Sequence, residues 1–264
     1  MPANPSRRGL LVITLAGLAL AALAFVGVRQ RLLTPSGSEA TATPTLPAFT
    51  EVATAAGKAT QTSPLPAFTA APTVESAVGF GILGDSNTDE YRADDDRGGE
   101  YAATTLSWVE LLVSRRGLNF GPWGSWGEPR RTGYKYNWAR SGATTHDLIA
   151  SGQHTGLARQ VADGEVAYVF VFIGGNDFAM WNGTYDEIYD GRLSGGALQA
   201  KLDGLVADLA TAVDTVLSAG QVDMVIVTIG DAGIAPDTIA SSPEPAKRRR
   251  VTDAINQVNA RITE

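Results

Sequence analysis

Val166-Ala167-Tyr168-Val169-Phe170-Val171-Phe172-Ile173 is an unbroken apolar run that ends in Gly174-Gly175-Asn176-Asp177. A strand that stays apolar on consecutive positions belongs at the buried centre of a parallel sheet, since a strand with one wet face would alternate. The same grammar recurs along the chain. Residues 78–83 are apolar and end in Gly84-Asp85-Ser86, residues 134–139 read as a strand leading into Arg140-Ser141-Gly142, and residues 222–229 read as a fourth strand. Helical periodicity fills the gaps. Leu106, Val109 and Leu112 share a face of a helix over 104–116 that Gly117 stops. Leu198, Leu202, Leu205, Leu209, Val213 and Val216 mark a long helix closed by Gly220. Val251, Ile255, Val258 and Ile262 mark a last helix over 245–262. Strands alternating with helices predict a three-layer α/β fold with right-handed crossovers.

Residues 77–264 carry this pattern, and the segments before them do not. An uncharged run begins at Leu10 and ends at Val28, with Arg7 and Arg8 before it and Arg29 and Arg31 after it. At 1.5 Å per residue it is just long enough to cross a bilayer core of about 30 Å. Residues 1–33 are therefore expected to be a membrane anchor or signal segment, with Ala22-Leu23-Ala24 as the cleavage site in the second case. Residues 34–76 are rich in Thr, Ala, Pro and Ser and repeat Leu-Pro-Ala-Phe-Thr at Leu46 and Leu65. Proline at that density breaks helix and sheet, which predicts a disordered, semi-extended linker. Together these segments predict an exported domain. A net charge of −7 argues against a nucleic-acid partner, and the absence of cysteine excludes disulfides and thiolate catalysis.

The functional candidates sit at the strand ends. In an open parallel sheet those ends lie along one edge, where such folds place ligands. Ser86, Gly142 and Asn176 each follow a predicted strand, so the three can converge. Gly-Asp-Ser alone is ordinary turn chemistry. Combined, the three types suit acyl transfer, which needs a hydroxyl nucleophile and donors aimed at the developing oxyanion. Ser86 could attack, the Gly142 N–H could donate without a side chain in the way, and the Asn176 carboxamide could donate beside it.

Gly84-Asp85-Ser86, Asn137 with Gly142, and Gly174-Gly175-Asn176-Asp177 resemble, in order and spacing, the first three blocks of the SGNH (GDSL-type) serine hydrolases. The resemblance covers residues 77–264. It implies a flavodoxin-like α/β/α fold, esterase or lipase activity on acyl or acetyl esters, Ser86 as nucleophile, and Gly142 and Asn176 in the oxyanion hole. It also implies a histidine in an Asp-x-x-His block after a fifth strand, which this sequence lacks. The domain is accordingly expected to be C-terminally incomplete, with its last strand missing, and the chain as written to be weakly active or inactive. The alternative is a catalytically inactive surface module that binds glycan or lipid on the same fold.

The remaining candidates carry bland readings beside functional ones. His146, four residues past Gly142, is a substitute base or a polar residue at a helix start, and His154 falls in a Gly/Ser-rich turn. Asp85 and Asp177 are expected to shape their turns by accepting nearby backbone N–H groups. Trp123, Trp126 and Trp138 offer flat faces for a glycan ester or simply anchor loops. Asp94-Asp95-Asp96 is a weak calcium candidate or a solvated loop. The cluster from Lys247 to Arg250 reads as a solvated helix face. A metal-dependent phosphoesterase would need a His-rich ligand set that the sequence does not hold. The expected substrate is a small-molecule or glycan ester, with no cofactor and no metal.

Overall fold

The computed structural model describes residues 10–13, 78–90 and 104–264. In chain order the elements are β1 (Leu10–Ile13), β2 (Gly79–Gly84), α1 (Trp108–Arg116), β3 (Trp123–Gly127), β4 (Arg131–Tyr134), α2 (Thr145–Ala150), α3 (Gln153–Ala162), β5 (Val166–Phe172), α4 (Thr184–Tyr189), α5 (Gly195–Ala219), β6 (Asp223–Val227), α6 (Pro236–Ser241) and α7 (Pro245–Thr263). The central sheet is parallel, in the order β1-β6-β5-β2. Beyond β2, residues 136–140 run alongside it: Ile82 N–H donates to Tyr136 O, Trp138 N–H to Ile82 O and Arg140 N–H to Gly84 O, each at 3.0 Å. The register sets Leu83 opposite Val171 and Gly84 opposite Phe172, so neighbouring strands end level.

The strand expected over 134–139 is broken. Tyr134 closes an antiparallel hairpin with β3, Asn137 N–H donates back to Tyr134 O across a turn, and only then does the chain join the sheet. Aromatic packing outcompetes a straight strand here: Trp123 and Tyr134 meet edge to face, with ring centroids 5.0 Å apart. The Gly/Trp-rich segment is thus an ordered hairpin. The helix start offered for His146 is α2, whereas α3, α4 and α6 went unread, because each is short and opens on Gly or Pro turn chemistry. His154, expected in a turn, is buried in the first turn of α3.

Helices cover both faces of the sheet. Leu157 and Val161 of α3, Leu148 of α2 and Leu209, Ala212 and Val216 of α5 pack on Leu83, Val169, Val171, Met224 and Ile226. On the other face Val109 and Leu112 of α1 meet Ile82, Phe120 and Phe170. This second layer is thinner among the described residues, so β5 is not buried on both faces and Tyr168 stays 40% exposed. Helix α7 packs Val251, Ala254, Ile255 and Val258 against α4 and α5. Helix ends follow the caps in the sequence. Ser107 and Glu110 form a capping box that starts α1, and Gly117 ends it in the left-handed region at φ 65°.

Leu10–Ile13 belong to the run expected to be an anchor, yet they form the edge strand β1 paired with β6. An apolar segment can satisfy its backbone groups as a helix in lipid or on a sheet edge, and these four residues use the edge. The rest of that run, the linker over 34–76 and Asp94-Asp95-Asp96 lie outside the described residues. No described helix is long and apolar enough to cross a membrane.

Candidate active site

Three turns meet at the carboxyl edge of the sheet. Residues 84–89 leave β2, residues 140–145 leave the strand beside it, and residues 173–178 leave β5. The Arg140–Gly84 backbone bond joins the first two. A methyl group added at Gly175 would stand 3.8 Å from Asp85 Oδ2, which places the third turn against the first. Asn176 Nδ2 donates to Ala143 O at 2.9 Å, which joins the third to the second. The edge therefore brings together the segments carrying Ser86, Gly142 and Asn176.

Ser86 sits half-exposed on its turn, while Asp85 beneath it is 1% exposed. Asp85 Oδ1 accepts from Asn87 N at 2.9 Å and Asn87 Nδ2 at 3.0 Å, which shapes the turn as expected. Two further clamps hold it: Trp108 Nε1 of α1 donates to Asn87 O at 3.1 Å, and buried Asn137 donates from Nδ2 to Thr88 O at 2.8 Å. The nucleophile candidate thus rests on a turn fixed from both sides.

Donors on the second turn are committed with one exception. Arg140 N–H goes to Gly84 O, Ser141 N–H to Asp89 Oδ2 at 2.7 Å, Ala143 N–H to Arg140 O at 3.0 Å, Thr144 N–H to Asp147 Oδ2 at 3.0 Å, and Thr145 N–H to Asp177 Oδ2 at 2.9 Å. Among the described residues Gly142 N–H has no acceptor. Its φ of 82° lies in the region that favours glycine, and a Cβ built there would meet nothing within 4 Å. An unused amide on a residue that borders an open cleft is what an incoming oxyanion requires. Asn176 complements it. Of its two amide protons one is held by Ala143 O, which fixes the plane of the group and leaves the other unpaired.

Asp177 works over a longer range than expected. It accepts from Thr145 N–H and from Thr145 Oγ1 at 2.8 Å, so it ties the third turn to the start of α2. Burial pushes its pKa up, opposed by the two Thr145 bonds. Gly174 holds φ 108°, and a Cβ there would stand 2.6 Å from Ile229 Cδ1; only glycine fits. Asn182 Nδ2 closes the loop by donating to Asn176 O at 2.7 Å. These cross-loop partners were not singled out from the sequence, because nothing local marks them.

The other candidates are scattered. His146 is exposed on α2, its Nδ1 3.5 Å from Asp208 of α5. His154 lies inside α3. Arg130 lies over the rings of Trp126 and Trp138, 5.1 and 4.2 Å from their centroids, and Trp138 Nε1 donates to Gln160 Oε1 at 2.8 Å. Trp138 packs on α3, Trp126 donates within its hairpin to Gly133 O at 2.8 Å, and Trp123 stays 49% exposed. Trp181, in the loop after Asn176, is 56% exposed. An open cleft of about 610 Å³ borders Gly142, with Glu128, Arg140, Ser141, Asp147 and Ser151 among its walls; Ser86 and Asn176 do not line it. Among the described residues no group of acidic or histidine side chains could hold a metal ion.

A model of the GDSL-like lipase/acylhydrolase family matches residues 80–264. Among solved structures, a Clostridium thermocellum family 3 carbohydrate esterase is 18% identical, covering 70% of this chain and 73% of its own, at a TM-score of 0.33, a likeness too slight to bear on substrate. No curated protein matches the chain.

Proposed function

The chain belongs to the GDSL-like lipase/acylhydrolase family, and on that premise we propose that it is a serine ester hydrolase with Ser86 as nucleophile. Ser86 Oγ attacks the acyl carbon, its proton passes to solvent water, and the carbonyl oxygen becomes an oxyanion. Gly142 N–H and the unpaired proton of the Asn176 carboxamide receive that charge. The alcohol then departs, and water releases the acyl group in a second, mirrored step. The observation that supports this most is the single uncommitted amide in residues 140–145, at Gly142, with Asn176 fixed beside it. Each such donor typically contributes about 2.7–4 kcal/mol to the transition state. The substrate we propose is a small-molecule or glycan ester, in keeping with the acyl-ester chemistry of the family. The Pro-rich linker over residues 34–76 is the sequence feature that supports export of the domain.

The proposal assigns no base to either histidine, since His146 is engaged at the surface with Asp208 and His154 is enclosed by α3. Without a base, the oxyanion hole and binding sustain only residual rates, about 10³–10⁴-fold over water. That same observation favours a second reading, a non-catalytic glycan- or lipid-binding module. A serine-directed fluorophosphonate probe separates the two. Labelling located at Ser86, and lost in Ser86→Ala, together with slow p-nitrophenyl acetate hydrolysis, is the expected result. Labelling that persists in Ser86→Ala would remove the hydrolase reading, and no labelling at all would favour the binder.

A further inference from the structure

Asp89 is a buried carboxylate, 1% exposed, that stands three residues after Ser86 and outside every role assigned above. Its own N–H donates to Asp85 O at 3.0 Å, so it is part of the nucleophile's turn. Its Oδ2 reaches across 52 residues of chain to accept Ser141 N–H at 2.7 Å. The same oxygen accepts Arg131 Nη2 of β4 at 2.5 Å, from a guanidinium whose side chain is only 10% exposed. Arg131 holds φ 57°, a left-handed conformation that a non-glycine residue adopts only where its surroundings enforce it. A buried charge persists when it is paired and hydrogen-bonded, and both conditions are met here.

We propose that Asp89 is a positioning residue that sets the Gly142 amide relative to Ser86, an inference that rests on the serine-hydrolase reading. The Ser141 N–H and the Gly142 N–H flank one residue. When the first is held by a carboxylate, the peptide plane that follows is fixed at one end and its N–H is left unused beside the cleft that Gly142 lines. Because Asp89 is covalently continuous with the Ser86 turn, the nucleophile and the oxyanion donor move as one unit. Rigid support of this kind is what keeps donors aligned with a charge that exists only in the transition state. Asp89 acts through Ser141 and touches no substrate atom.

The test compares wild type with Asp89→Asn, which keeps the shape, and Asp89→Ala, which removes the bonds to Ser141 and Arg131. The readouts are p-nitrophenyl acetate kinetics, inhibition by a phenylboronic acid that forms a tetrahedral adduct on serine, and the Gly142 amide proton resonance. In Asp89→Ala we expect kcat to fall about 10- to 100-fold with KM changed less than about threefold. Boronate affinity should fall in step with kcat, and the Gly142 resonance should no longer shift when boronate is added. Asp89→Asn, still able to accept Ser141 N–H, should lie between the two. A variant that melts at lower temperature but keeps kcat, boronate affinity and the Gly142 shift overturns the proposal. If Asp89→Ala does not fold, Asp89→Asn decides: wild-type values for all three readouts overturn it. A wild type that neither turns over the ester nor binds boronate at Ser86 removes the hydrolase reading itself, and this inference with it.

Discussion

The carboxyl edge of the sheet and the α3–α5 layer behind it are held by opposite means. Behind the sheet, Leu157, Val161, Leu209, Ala212 and Val216 are buried among apolar partners, and contact there is non-directional. At the edge, two carboxylates accept from distant backbone N–H groups, Asp89 from Ser141 and Asp177 from Thr145, and two carboxamides donate to distant carbonyls, Asn137 to Thr88 and Asn176 to Ala143. Hydrogen bonds exchanged against water give little net stability, about 0.5–1.5 kcal/mol each, but they are directional. The contrast teaches that stability and geometry are supplied by different regions, one through buried area and the other through angle.

That division can be broken by substitution. Leu157→Ala, at a fully buried site facing Gly81 and Val166, should destabilise the domain by about 2–5 kcal/mol in thermal or urea unfolding. Its kcat per folded molecule, measured well below the transition, should match wild type. Asn176→Ala should do the reverse, lowering kcat for p-nitrophenyl acetate about 10²–10³-fold while leaving the melting temperature nearly in place. A large melting shift in that variant, or a large kcat loss in Leu157→Ala, would show that the two regions are not separable.

Glu90 sharpens the comparison as an exception at the edge. It is buried against Gly133, where a Cβ would stand close to its Oε2, and its Oε1 has no partner. Burial pushes its pKa up from 4.5 to about 8, opposed by Asn137 and reinforced by Asp89 and Glu110. The folded state therefore holds a proton that the unfolded chain releases between pH 4.5 and about 8, so stability falls as pH rises through that window. Glu90→Gln should flatten this dependence, raising the melting temperature by a few degrees at pH 8 and changing it little at pH 4.5. Melting curves across pH 4.5–8.5 read it directly; an unchanged slope in the variant would assign the pH dependence to other groups.

How far the chain could be read depends on range. The ends of β2, β5 and α5 were legible, because an apolar run followed by Gly or Ser is a local signal. Tyr134 was misread since its partner, Trp123, lies eleven residues away across a turn that composition alone does not show. His154 looked like part of a turn because Gly152 precedes it; Gly152 instead opens α3 at φ 73°. Ser86, Gly142 and Asn176 were found as separate turns. Asp89 was passed over because a carboxylate in a polar turn looks like any other until its partner 52 residues away is known.

The sequence by itself determined the layers and the type of residue at each strand end, since periodicity and turn chemistry act over a few residues. Only the tertiary structure decided which amide was left unused. That choice depends on every neighbouring N–H finding an acceptor: Asp147 and the Arg140 carbonyl lie three residues along the chain, but Asp89, Asp177 and the Gly84 carbonyl are brought into reach only by the packing of the sheet.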